Sequence, residues 1–305
     1  AMVDWITSLE GTPRGETLAL ILALQAAFLH ALFGALQKRV TDPWTARTVI
    51  DATYATMAAP FVLFVFDWPE PDLWPLLFIA WVIHVGYKVL QASAYTYGAY
   101  TVVYPVVRGT GPVFTVIGAG LLFGETFSAT QWTGVAVLVA GILGLALYNL
   151  RHVVIDRARL PVALGLAVMT GGFVALYTTW DAYVIRAFEN PFAFLAWFFF
   201  LDGLAFPLVY MIRLRGRLPR PLRPHAILGV QGAVTAYFSF GGILLATRLD
   251  KVGEAAVLRE TSVVFAALLG WLMLGEKVGP RRLALMTLIA AGAVIVVNMA
   301  LMCKQ

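Results

Sequence analysis

Long apolar stretches dominate the chain, and short polar stretches interrupt them at nearly regular intervals. A helix needs about 20 apolar residues to cross the hydrocarbon of a bilayer. By that criterion the pattern predicts ten membrane-spanning helices, and the fold class is an all-α integral membrane protein. The ten segments are 17–39, 47–66, 74–97, 100–123, 127–150, 161–187, 191–213, 224–248, 251–274 and 279–302.

Helix-breaking residues support these boundaries. Asp42-Pro43 separates the first two segments, and Asn190-Pro191 separates the sixth from the seventh. Arginines are concentrated in 213–223, between the seventh and eighth segments. Short polar links of this kind are typical of membrane hairpins, because their backbone groups can bind water outside the hydrocarbon.

Composition agrees with the membrane class and narrows the chemistry. Hydrophobic residues make up 60% of the chain and charged residues 13%, whereas soluble domains have about 45–50% and about 25%. The single cysteine, Cys303, excludes an intramolecular disulfide and a thiolate cluster. The four histidines have no metal-ligand spacing, and no nucleophile or phosphate-loop motif occurs. We therefore expect no enzyme activity, no metal and no cofactor.

The net charge of +5 comes mostly from arginines between apolar segments, which favours contact with lipid headgroups over nucleic-acid binding. The links after segments one, five, seven and nine carry 14 cations, and the opposite side carries five. The positive-inside rule then predicts that both termini lie outside the cytoplasm. The 14 are Lys38, Arg39, Arg47, Arg151, Arg157, Arg159, Arg213, Arg215, Arg217, Arg220, Arg223, Lys277, Arg281 and Arg282.

The sequence repeats itself at an offset of 151 residues. Residues 104–125 and 255–276 match at eight of 22 positions without a gap, including Arg108 with Arg259. The domain organisation is therefore a polar N-terminal segment 1–16, a five-helix repeat 17–150, a linker 151–160 and a second five-helix repeat 161–302. An odd number of helices per repeat inverts the second repeat relative to the first, a construction common in transporters.

The matched pairs Gly124-Glu125 and Gly275-Glu276 end the fourth and ninth segments, and glycine-bearing helices follow each pair. With this order and spacing, the chain resembles the drug/metabolite transporter superfamily, specifically its ten-helix EamA-type members. The resemblance covers nearly the whole chain. It implies a secondary transporter that works by alternating access between two inverted five-helix repeats, and it leaves the substrate open.

Charged residues inside membrane segments are candidates for function, because burying one in lipid costs about 2.5–3.5 kcal/mol on insertion scales. On the third segment, His84, Lys88 and Gln91 lie on one helical face. We interpret this stripe as facing a water-filled cavity. The alternative is that Lys88 pairs with a structural carboxylate.

The repeated arginines are the second group of candidates. Arg108 lies near the middle of the fourth segment, one turn after Tyr104, and Arg259 is followed by Glu260. We predict that these four residues bind substrate. The alternative is internal pairing, for which Glu260 is the obvious partner of Arg259.

The third group combines acidic and aromatic residues. Asp181 and Asp202 fall inside the sixth and seventh segments, and His30 falls inside the first. Asp202 and His30 are candidates for proton coupling, with an ion pair to Arg108 or Arg259 as the alternative for Asp202. Deep aromatic residues complete the predicted substrate site, namely Tyr177, Trp180 and Tyr237.

Taken together, cavity charges of both signs favour a small zwitterion, such as an amino acid or a derivative, as the substrate. The alternatives are an organic-anion or phosphate-ester exchanger and a hydrophobic-cation efflux pump. Segments five and ten carry almost no interior charge but contain small residues, which predicts a scaffold or a homodimer interface there. The expected location is the bacterial inner membrane, with the lipid bilayer as the principal partner and no role for nucleic acid.

Overall fold

The computed structural model describes residues 2–37, 42–98, 100–152, 158–213, 220–274 and 279–302. Within these ranges all regular structure is helical. The α-helices are α1 (Met2–Leu9), α2 (Pro13–Gln37), α3 (Pro43–Phe64), α4 (Trp74–Tyr97), α5 (Tyr100–Phe123), α6 (Ala129–His152), α7 (Leu160–Ala187), α8 (Pro191–Arg213), α9 (Leu222–Leu249), α10 (Val252–Arg259), α11 (Ser262–Leu274) and α12 (Pro280–Met302). A 3₁₀ turn at Pro71–Leu73 precedes α4.

Eight of the described helices, α2, α4 to α9 and α12, are long and apolar enough to cross a membrane. With 22 residues, α3 is about 33 Å long but less apolar, because Arg47 and Asp51 lie within it. Its packing against α8 and α9 accounts for this composition. A helix whose polar groups are satisfied by neighbouring helices does not need a uniformly apolar surface.

The prediction of one helix over 251–274 is wrong, because the helix is interrupted between α10 and α11. At the break the N–H of Glu260 donates to the Val257 carbonyl, and the N–H of Thr261 donates to the Leu258 carbonyl. The Thr261 hydroxyl also donates to Leu258 O, at 2.7 Å. Such three-residue bonds tighten the backbone and compete with the α-helical pattern. The sequence contains neither proline nor glycine at 257–262, so it did not predict this interruption.

The predicted polar segment 1–16 contains a short helix, α1, and the first four residues of α2. Thr12 explains the early start of α2, because its hydroxyl accepts from the N–H of Gly15 at 3.1 Å. Pro13 follows it at the first helical position, where a missing N–H costs nothing.

Helices of the first half pack against helices of the second half. The main pairs are α2 with α9, α3 with α8, α5 and α4 with α7, and α6 with α12. At the α6–α12 contact, a Cβ atom added to Gly292 would lie 2.6 Å from Gly134 O and 2.5 Å from Leu138 N. Glycine therefore permits backbone-to-backbone contact, as in close-packed membrane helices. These helices form a scaffold within one chain, and the homodimer stays a prediction.

The two ends of the bundle are identified by hydrogen bonds between distant segments. At the Glu125 face, which includes residues 65–73, 124–128 and 188–190, Glu125 bonds to the start of α10. At the opposite Thr45 face, the hydroxyls of Thr45 and Tyr210 lie 2.5 Å apart. Gly275-Glu276, Cys303 and several of the counted cations lie outside the described residues.

Candidate functional site

A buried cavity of about 80 Å³ lies between the two halves, several times the volume that one water molecule needs. Seven helices contribute to its wall, which combines aromatic rings with a few charged groups. Its lining residues are His30, Phe33, Arg47, Tyr54, His84, Tyr87, Tyr177, Phe198, Phe199, Asp202, Ala236, Ser239, Phe240, Ile243 and Arg259. The Arg47 side chain is 21% exposed and lies one turn from the start of α3, so the cavity extends toward the Thr45 face.

Lys88 is the centre of one charged cluster, which joins α3, α4 and α8. Its Nζ atom donates to Asp51 Oδ2 at 2.6 Å and to Asp202 Oδ2 at 2.8 Å. It also donates to the Tyr54 hydroxyl at 3.0 Å and to the Asp202 carbonyl at 3.2 Å. Arg47 completes the cluster through an ion pair with Asp51 at 2.9 Å.

This cluster is electrically balanced, since two cations face two carboxylates. Lys88 is 1% exposed and Asp51 is fully buried. A buried charge keeps its ionised form only when it is paired and hydrogen-bonded. The geometry therefore corresponds to the alternative considered for Lys88, a pairing with structural carboxylates, and Asp202 pairs with Lys88 rather than with either arginine.

His84 and Asp181 form a second buried pair, between α4 and α7. Nε2 of His84 lies 2.6 Å from Asp181 Oδ2. Three aromatic rings surround the imidazole, those of Tyr177, Phe198 and Phe240, with centroid distances of 4.7–5.5 Å. His84 lines the cavity and Asp181 lies behind it, so the carboxylate orients the ring from outside the cavity.

The third cluster contains the repeated arginines and is not balanced. Nη1 of Arg108 lies 3.3 Å from Glu260 Oε1, and Nε of Arg259 lies 3.7 Å from the same oxygen. Nη2 of Arg259 donates to Thr178 Oγ1 at 3.5 Å. Among the described residues, both guanidinium groups thus form their ion pairs with one carboxylate. A buried excess of positive charge is unfavourable unless an anionic group approaches it.

His30 lies beside this cluster and contacts Nη2 of Arg108 through its Nε2 atom. Arg108 also lies over the Tyr104 ring at 5.2 Å, and Arg259 over the Tyr177 ring at 5.9 Å. Proton coupling by His30 or Asp202 stays a prediction.

The remaining predicted site residues lie outside the cavity wall. Gln91 donates to the Tyr87 hydroxyl at 2.7 Å. Trp180 donates its indole N–H to the Leu76 carbonyl at 3.0 Å. Tyr237 is 38% exposed and packs on Phe199. These residues support the wall from behind or face outward.

Sequence reasoning left several wall residues out of the predicted site, and one group carried a detectable signal. Arg47 and Tyr54 of the wall, with the fully buried Asp51 between them, follow each other at steps of four and three, which places all three on one face of α3. That spacing repeats the step pattern of the stripe on α4. The phenylalanines of α8 and α9 gave no such signal, because aromatic residues occur throughout the membrane segments.

A bundle of membrane-spanning helices around a central cavity with a few charged groups in an aromatic wall is an architecture common among membrane transporters. The chain belongs to the EamA-like transporter family, whose profile matches residues 17–147 and again residues 162–298. This family is one of membrane transporters, and the long apolar helices of the chain are those of an integral membrane protein.

Individual relatives add little about function. The chain is 36% identical over 70 residues to an uncharacterized protein of Sinorhizobium fredii, y4nH, and this match covers 23% of the chain. It spans 60% of the length of that relative. A crystal structure of another protein superimposes with a TM-score of 0.73 at 16% identity, over 93% of this chain and 99% of that one. At this identity the likeness concerns the fold alone.

Proposed function

We propose that the protein is a secondary transporter that carries a small zwitterionic metabolite across the bacterial inner membrane by alternating access. The main support for this proposal is that Arg259 and Asp202, groups of opposite charge, both line one buried cavity. Among the described residues, Arg259 Nε and Asp202 Oδ1 are buried without a hydrogen-bond partner. A substrate carboxylate would approach the arginine, and a substrate ammonium group would donate to Asp202 Oδ1, the oxygen that Lys88 and Tyr54 do not use.

The helix pairs support two inverted five-helix repeats. If α2 to α6 correspond to α7, α8, α9, α10–α11 and α12, exchange of the halves converts the α2–α9 pair into the α7–α4 pair. The same exchange converts α5–α7 into α10–α2, and it leaves α3–α8 and α6–α12 unchanged. All of these pairs pack against each other. A ten-span arrangement with a two-fold axis in the membrane plane accounts for this symmetry.

The charge distribution supports a single anionic group on the substrate rather than two. Arg108 and Arg259 share Glu260, so the local excess is one positive charge. An organic-anion or phosphate-ester exchanger is the second candidate, because the same two guanidinium groups suit bidentate binding of phosphate. The aromatic wall contributes apolar contact in either case.

The test uses purified protein in detergent and in proteoliposomes, with matched sets of ligands. Each set contains an amino acid, its analogue without the amino group and its analogue without the carboxyl group. We expect thermal stabilisation and flux with the zwitterion and neither with the two analogues. Stabilisation by dianions with none by zwitterions would overturn the zwitterion proposal in favour of the exchanger.

Arg259→Gln tests directly whether Arg259 binds the substrate. Removing a hydrogen bond to a charged group costs about 1.5–3 kcal/mol, so we expect the KM for the zwitterion to rise at least about tenfold. Arg281→Gln, at an exposed position, is the matched control and should leave KM unchanged. Equal KM values in the two variants would remove Arg259 from the substrate site.

A further inference from the structure

We propose that Glu125 is a positioning residue that keeps the Glu125 face closed by capping α10, the helix that carries Arg259 into the cavity. This inference rests on the proposed alternating-access function. Glu125 belongs to the first half of the chain and α10 to the second, so the cap joins the halves at one end of the bundle.

The local backbone aims Glu125 across the bundle. Gly124 has a φ of +67°, a left-handed conformation that ends α5 and favours glycine. Its N–H donates to the Gly120 carbonyl at 3.1 Å. The glycine thus ends the helix as the sequence predicted, and the following residue leaves in a new direction toward the second half.

Both carboxylate oxygens of Glu125 are used on α10. Oε1 accepts from the N–H of Val252 at 2.7 Å, and Oε2 accepts from the N–H of Gly253 at 2.9 Å. These are two of the N–H groups that have no partner within a helix at its start. A negative charge at this position is also favoured by the helix dipole.

The fit around Gly253 shows how closely the 124–128 loop covers the start of α10. A Cβ atom at Gly253 would lie 3.0 Å from the Phe127 ring and 3.4 Å from Glu125 Oε2. Val252 is fully buried, and Gly253 and Glu254 are also buried. The contact therefore excludes water from the first turn of α10 at this face.

The cap affects the cavity because α10 connects Glu125 with Arg259. Because α10 has eight residues, it is about 12 Å long, with Glu125 at one end and Arg259 at the other. The tight turn at 260–261 separates it from α11, so α10 is a short rigid unit rather than part of a long helix. Opening of this face must break the cap, and the same movement would displace Arg259 from the substrate.

Other side-chain hydrogen bonds also join the halves at this face: Gln131 donates to Glu254 of α10 at 3.1 Å, and the Trp197 indole N–H donates to the Asp67 carbonyl at 3.3 Å. Arg186 donates to the carbonyls of Thr247 and Asp250, which lie in its own half. The ion pair of Glu10 with Arg248 is 2.6 Å long and joins a buried guanidinium group to a glutamate that is 36% exposed. The Glu125 cap instead places one carboxylate on two backbone donors of the opposite half.

The experiment measures access to the cavity from each side. Cys303→Ser removes the natural cysteine, and Ala236→Cys places a thiol in the cavity wall. A charged, membrane-impermeant methanethiosulfonate reagent is added to either side of sealed vesicles of known orientation. Labelling is compared for the parent, Glu125→Ala, Glu125→Gln and Glu70→Ala, the last a control at an exposed glutamate of the same face.

We expect Glu125→Ala to label at least about tenfold faster from the Glu125 face, which corresponds to about 1.4 kcal/mol. Glu125→Gln, which keeps one acceptor oxygen, should give a smaller increase, and Glu70→Ala none. Labelling from the Thr45 face should not rise, whereas general loosening of the fold would raise it from both faces. Parent-like labelling of both Glu125 variants from the Glu125 face would overturn the proposal.

Substrate flux in the same vesicles distinguishes failure of the Glu125 cap from failure of the proposed transport function. If the parent transports the zwitterion and the Glu125 variants label like the parent, only the cap has failed. If no solute moves in the parent but Glu125→Ala opens its own face, the cap stands as a closing contact and the proposed function has failed.

Discussion

Replacement of Lys88 by methionine tests whether this buried lysine is structural or binds substrate. Methionine has a similar length and no charge, so the change removes the ammonium group and leaves the packing volume nearly intact. The structure defines what is lost: four contacts of 2.6–3.2 Å to Asp51, Asp202 and Tyr54. The carboxylates do not lose equally, because Asp51 keeps its ion pair with Arg47.

Asp202 is the group left without a cation. Among the described residues, the hydrogen bond that remains to its carboxylate comes from the Tyr54 hydroxyl, at 2.5 Å from Oδ2. Removal of one partner from a buried ion pair costs about 3–5 kcal/mol, because the other charge remains buried. We therefore expect Lys88→Met to lower the free energy of unfolding by that amount. The added change Asp202→Asn removes the stranded charge and should recover most of the loss.

The assay is unfolding in mixed micelles with increasing dodecyl sulfate, followed by tryptophan fluorescence, for the wild type, the single variants and the double variant. Transport is measured on the same preparations. If the free energy of unfolding of Lys88→Met lies within about 1 kcal/mol of the wild-type value, the structural role of Lys88 is refuted. If Lys88→Met loses transport but keeps its stability, Lys88 binds the substrate.

Two further predictions concern packing and the extent of the site. Gly292→Ala should destabilise the protein by about 1–3 kcal/mol through overpacking, because its Cβ would meet α6 backbone at 2.5 Å. Gly165→Ala, with open space around the added atom, should cause no loss, and equal unfolding curves would contradict this account of the α6–α12 contact. Tyr237→Phe should leave KM within about twofold of wild type, since Tyr237 lies outside the cavity wall, and a tenfold change would place it in the substrate path.

Much of the local structure could be predicted from the sequence. The predicted segments 74–97, 100–123 and 191–213 coincide with α4, α5 and α8. Hydrocarbon thickness fixes the length of such segments, and proline and glycine mark their ends, so the necessary information is contiguous in the chain. The break at 260–261 has no comparable marker, because it consists of local three-residue bonds within 257–261 and involves neither proline nor glycine.

The identity of the charged residues was also available from sequence, and so was the pairing of Arg259 with its neighbour Glu260, but the partners that lie far along the chain were not. Lys88 pairs with Asp202, 114 positions away, and Glu125 with the backbone of α10, 127 positions away. In a membrane interior any carboxylate can neutralise any cation within reach, so composition alone leaves the pairing open. Only the helix packing decided that Lys88 lies in a balanced cluster and that Arg108 joins Arg259 on one glutamate. These pairings depend on distances between helices rather than on the residues themselves.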